Sequence, residues 1–159
     1  MDSTVLLDLL LAFQLSIISW IDFQRFVIPD ILNLSLALCG FVVSEVVLDK
    51  TIVGILIESG LAVAVFLAIR KAYSSLRGKH GIGAGDVKFL GAAATWVGLA
   101  GIPWVILIAS ISGLMFAVAE SIRGGEVKTD SRLAFGPHLS LGLMITWLLR
   151  DVIVVHAWR

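Results

Sequence analysis

Six apolar stretches decide most of what this chain can become: residues 5–21, 31–48, 52–69, 87–100, 103–119 and 139–155. A helix needs roughly 20 apolar residues to cross a hydrocarbon layer about 30 Å thick. Four of the stretches have spanning length with few charges, and 87–100 is short. The last carries Arg150 and Asp151 near one end, where a long arginine side chain reaches the interface. Of the 159 residues, 58% are hydrophobic and 15% charged, whereas an ordinary soluble domain has about 25% charged residues. The expected fold is all-α: one polytopic membrane domain over residues 1–159, with six transmembrane helices.

The basic residues orient those helices. Arg25 follows the first stretch; Arg70, Lys71, Arg77, Lys79 and Lys88 lie between or just inside the third and fourth; Arg123, Lys128 and Arg132 separate the fifth and sixth. Nine of the 12 basic residues thus share one side, leaving Lys50, Arg150 and Arg159 for the other. The positive-inside rule makes the nine-residue side cytoplasmic and puts both termini outside. The cytoplasmic loops then cover about 22–30, 70–86 and 120–138, and the pattern requires the short fourth stretch to cross. Asp2 and Asp8 stand where a signal peptide would be basic, so the first helix is expected to be retained.

Several function classes drop out. Twelve basic and 12 acidic residues give zero net charge, so no basic field exists to hold nucleic acid. Cys39 is the single cysteine, and His80, His138 and His156 lie far apart, so neither a metal nor a cofactor is expected. Cys39 falls mid-helix and reads as a packing residue. Small residues at 91–94 and at Ala109, Ser110, Ser112 and Gly113 suit close helix approach in lipid.

An ionisable residue at the membrane boundary is costly and therefore a functional candidate. Asp22 closes the first helix and Asp86 opens the fourth, both at the cytoplasmic face. Glu45 and Glu58 fall toward the outer ends of their helices. Asp86 stands in Gly81-Ile82-Gly83-Ala84-Gly85-Asp86-Val87-Lys88, where glycines at alternate positions let a ligand or helix approach the backbone. Its structural reading is an aspartate N-cap after a glycine turn. Asp30, after Ile28-Pro29, reads as a first-turn carboxylate favoured by the helix dipole. If Asp22 and Asp86 meet, two like charges in a poorly solvated site cannot both ionise easily, and one acid and one base coexist near neutral pH. Such a dyad can activate water against an amide carbonyl and protonate the leaving nitrogen.

Gly83-Ala84-Gly85-Asp86 resembles the GxGD motif of intramembrane aspartic peptidases. With Val87-Lys88, and with Leu133-Ala134-Phe135-Gly136-Pro137 before the last helix, the chain is similar to type IV prepilin peptidases. That resemblance implies Asp22 and Asp86 as the catalytic pair. Gly83, Gly85, Lys88, Asp30, Phe135, Gly136 and Pro137 would shape the site or bind substrate. It also implies a pilin-precursor protein as substrate, cleaved after its basic leader at the cytoplasmic face of the plasma membrane. Bifunctional members carry paired C-x-x-C cysteines and N-methylate the cleaved pilin. With only Cys39, this chain looks like the short tight-adherence (Flp-type) peptidases without methyl transfer. The family usually has proline where Ala134 stands and an aromatic or aliphatic residue at His138, which reads as a boundary histidine. The competing reading is a small transporter or channel subunit using its carboxylates as an ion path, and a third is an assembly scaffold.

Overall fold

The computed structural model describes residues 3–77, 81–123 and 134–150. The elements are α1 (Ser3–Arg25), α2 (Asp30–Val46), α3 (Ile52–Arg77), α4 (Ala84–Ile122) and α5 (Gly136–Leu148), with no strand among the described residues. By length and composition, α1 from Val5 onward, α3 and α4 can each cross a membrane. Helix α3 continues well past residue 69, where its apolar stretch ends, because no glycine or proline interrupts it before Gly78. Helix α5 starts at Gly136, three residues before its apolar stretch, with Pro137 in the first turn, where its missing N–H has no partner to lose. The end of that stretch, 151–155, lies outside the described residues.

The apolar stretches 87–100 and 103–119 form one helical run, α4, with a kink instead of a loop. Gly98 has φ 71° and ψ 171° there, a conformation open to glycine. Before the kink, Gly85 abuts Ile28, and Trp96 Nε1 donates to the Leu36 carbonyl at 2.9 Å, so this part follows α2 in the same direction. After the kink, Gly101 approaches Thr146, Gly142 approaches Val105, and Ser112 bonds to His138, so this part runs antiparallel to α5. Trp96 meets Trp147 edge-on at 5.2 Å. The chain thus leaves one end of the bundle at Gly85, turns at the other at Gly98, and returns.

Residues 89–98 are buried on every side, which makes the first part of α4 the centre of the bundle. The other helices turn a single stripe toward it. In α1 the stripe is Leu11, Leu15 and Ile18; in α2 it is Leu36, Gly40 and Val43. Their opposite faces expose Phe13, Leu9, Leu34, Leu38 and Val42, as a lipid-facing surface would. Polar side chains tie the helices together through backbone carbonyls: Ser44 donates to Thr95 and Ser59 to Gly91. Gly142 is required by close approach, since a Cβ there would strike the Val105 carbonyl. Gly142→Ala is therefore expected to destabilise the bundle by about 1–3 kcal/mol. Thermal unfolding in detergent reads this against Gly60→Ala, whose Cβ would meet nothing within 4 Å.

Candidate active site

Asp22 is buried because it continues a buried stripe. Leu11, Leu15, Ile18 and Asp22 follow one another at helical spacings of four, three and four, and Asp22 is 5% exposed. The helix ends just beyond it: Phe26 takes φ 53° and its N–H returns to the Asp22 carbonyl at 2.8 Å. The Asp22 carboxylate accepts the Gly136 N–H at 2.7 Å, a donor at the N-terminus of α5 that has no partner within its own helix. The packing there is close. A Cβ on Gly136 would lie 2.7 to 2.8 Å from Asp22 Oδ2, Cβ and Cγ.

Asp86 sits one turn into α4. Gly83 occupies the N-cap position, and Asp86, the third residue of the helix, reaches back to accept the Gly83 N–H at 3.2 Å. The sequence suggests Asp86 as the N-cap itself. Its role is instead the carboxylate half of a capping box, because the extended backbone of Gly83 takes the cap position. Gly85, the residue before Asp86, abuts Ile28 just past the end of α1, which puts Asp86 at the same end of the bundle as Asp22. Two carboxyl groups from α1 and α4 thus lie at one end of the bundle, each held by a backbone N–H.

The segment between α1 and α2 supports this corner. Ile28 is buried and packs on Gly85, and Asp30, the first residue of α2, pairs with Lys88 Nζ at 2.6 Å. Asp30 has the first-turn position expected of it, while the Lys88 pairing is a further role that the sequence does not show.

Phe135 and Pro137 flank Gly136 at the start of α5 without touching either carboxylate in any described contact. Phe135 leans on the His138 ring at 6.2 Å, and Phe116 does so from α4 at 5.8 Å. Ser112 Oγ lies 3.0 Å from the Ala109 carbonyl and 3.0 Å from His138 Nδ1, with which it shares a hydrogen bond. His138 thereby ties α5 to the second part of α4. The carboxylates of Glu58 and Asp8 belong to the opposite end, where Glu58 pairs with Lys50 at 2.9 Å and Asp8 accepts the Trp147 indole N–H at 2.7 Å.

Sequence reasoning passed over Asn33. It is 5% exposed in the first turn of α2, and its Nδ2 donates to the Gly85 carbonyl at 3.4 Å. The signal was available: Asn33 stands three residues before Leu36 on the stripe of Gly40 and Val43, where an apolar residue is expected.

The sequence is similar to known proteins over most of its length. Residues 9–118 match the profile of the type IV leader peptidase family, a stretch containing Asp22 and Asp86 but ending before Phe135. A prepilin leader peptidase/N-methyltransferase of Escherichia coli strain K12 is 33% identical over 132 residues, covering 80% of this chain and 56% of that protein. A protein of the same description from Pectobacterium carotovorum is 34% identical over 143 residues, covering 84% and 47%. One from Aeromonas salmonicida strain A449 is 29% identical over 149 residues, covering 91% and 50%. The chain spans about half the length of these curated relatives. No solved structure matches. With its family profile matched across the greater part of its length, the chain belongs to the type IV leader peptidase family.

Proposed function

We propose that this protein is a multi-pass membrane aspartic endopeptidase that removes the basic leader from type IV or Flp-type pilin precursors, with Asp22 and Asp86 as its catalytic pair. The observation that carries the reading is the placement of those two carboxyl groups at one end of an apolar bundle, Asp22 on the Gly136 N–H and Asp86 on the Gly83 N–H. A pair that shares one proton has both tools for amide hydrolysis. The ionised carboxylate takes a proton from water as the water oxygen bonds to the scissile carbonyl carbon. The protonated carboxyl then gives its proton to the nitrogen as the C–N bond breaks, and the two groups exchange roles. No metal or cofactor enters. Gly136 N–H holds Asp22 and Gly83 N–H holds Asp86, so neither side chain must be ordered when substrate arrives.

In this proposal the chain crosses the plasma membrane six times, with the two parts of α4 as separate crossings, both termini outside and the pair facing the cytoplasm. The positive-inside distribution of nine basic residues supports that orientation, and a basic leader lies on the same side. Gly83 and Gly85 let the Asp86 carboxylate and Ile28 pack close against the turn that carries Asp86, while Lys88, Asp30, Phe135, Gly136 and Pro137 shape the surroundings. The relatives' names also include an N-methyltransferase activity. Cys39 is the only cysteine in this sequence, so the proposal is confined to peptide-bond cleavage.

Co-expression with a pilin-like precursor, a lysine-rich leader ahead of an apolar helix, tests the reading. The expected outcome is a shorter precursor on a gel, with a new N-terminus at the leader boundary by mass spectrometry. An intact precursor beside abundant, membrane-inserted enzyme, across precursors from both pilus types, would count against it.

A further inference from the structure

We infer that Asn33 is a positioning residue for the turn that carries Asp86. The inference rests on the peptidase reading and adds to it a residue outside the GxGD and Phe-Gly-Pro segments. Three contacts join residues 28–33 to residues 85–88: Ile28 packs on Gly85, Asp30 pairs with Lys88, and Asn33 donates to the Gly85 carbonyl. The ion pair is exposed on both sides and contributes little. The Asn33 bond is the one polar tie of the three that is sheltered, and it ends on the residue next to Asp86.

The cost of keeping an amide there argues for that role. A carbonyl only accepts, so the orientation of the amide is fixed, with Nδ2 toward Gly85 and Oδ1 turned away. Oδ1 is buried and has no partner among the described residues. A long neutral hydrogen bond at 3.4 Å returns less than an orphaned buried acceptor costs. On stability alone, a leucine in register with Leu36 and Val43 would serve better. Asn33 and Asp22 share this feature: each is a polar residue on a core stripe, and both stripes reach the same end of the bundle. What the amide gives in return is a fixed Gly85, and through it a fixed starting point for the Asp86 side chain.

The test compares Asn33→Leu with wild type and Asp86→Asn in full-length protein, using the lysine-leader precursor as probe. Asn33→Leu is expected to insert and melt at or above the wild-type temperature, yet lose about tenfold to a hundredfold in kcat, with KM little changed. A second readout needs no cleavage. In a Cys39→Ser background, maleimide labelling of Ala84→Cys, an exposed position, should speed up several-fold when Asn33 becomes leucine. Wild-type kcat together with unchanged labelling would overturn the inference and leave the peptidase reading intact if Asp86→Asn is inactive. If the wild type itself does not cleave, the peptidase reading fails, and labelling alone decides whether Asn33 holds the turn.

Discussion

Asp22→Asn and Asp86→Asn should each slow leader removal by about 100- to 10,000-fold, the range that a positioned acid or base contributes. Asparagine is the informative replacement because it changes the chemistry and little else. Its carbonyl oxygen can still accept the Gly136 N–H at position 22 or the Gly83 N–H at position 86, so the corner of the bundle keeps its hydrogen bonds. Its amide neither carries the negative charge that activates water nor delivers a carboxyl proton. Asp22→Ala would instead leave the buried Gly136 N–H without its acceptor and confuse lost folding with lost chemistry. The measurement is the initial rate of precursor shortening, normalised to enzyme in the membrane fraction. The scaffold reading, in which the glycines and small residues only pack helices, predicts that Asp86→Asn is harmless. Wild-type rates from either variant would end the dyad assignment.

A comparable loss should follow from one methyl group on Gly136. An alanine Cβ would stand 2.7 to 2.8 Å from three atoms of Asp22, closer than a Cβ comes to non-bonded atoms in folded proteins. Asp22 is buried, so either its carboxyl group rotates away or the start of α5 backs off and stretches the 2.7 Å bond. Either movement displaces a reacting group by a fraction of an ångström or more, and a misplacement of about 1 Å can cost roughly 100-fold in rate. Gly136→Ala should therefore lose about 100-fold in leader removal while still accumulating in the membrane. Gly60→Ala is the matched control and should process at the wild-type rate, because its added methyl group faces open space. Equal activity of the two variants would mean that the Gly136 contact does not position Asp22.

The parts of this molecule that were legible in its sequence are those governed by solvent and by chain-local geometry. Apolar length marked the helices, and the positions of Gly83 and Gly85 singled out Asp86. The joining of 87–100 and 103–119 was less visible, because the break is a kink of one residue at Gly98, inside the first stretch, which hydropathy does not mark. The extension of α3 to Arg77 was hidden for the opposite reason: residues 70–77 are polar but contain no breaker, so hydropathy ends where the helix does not. The contacts that assemble the candidate site are long-range. Gly136 lies 114 residues from Asp22, and Lys88 lies 58 from Asp30. No local pattern encodes such pairings. Asn33 and Asp22 fall between these cases, since each continues an apolar stripe that a helical spacing of three and four residues traces.

The central claim is that residues 22 and 86 face each other across the end of the bundle. Paired cysteines test it most directly: Asp22→Cys with Asp86→Cys in a Cys39→Ser background, treated in native membranes with a short reagent that joins two thiols. The account predicts efficient intramolecular bridging of that pair and none between Asp22→Cys and Glu58→Cys, whose side chains belong to opposite ends of the bundle. Bridging of 22 to 58, or none between 22 and 86 when both thiols react singly with maleimide, would contradict it.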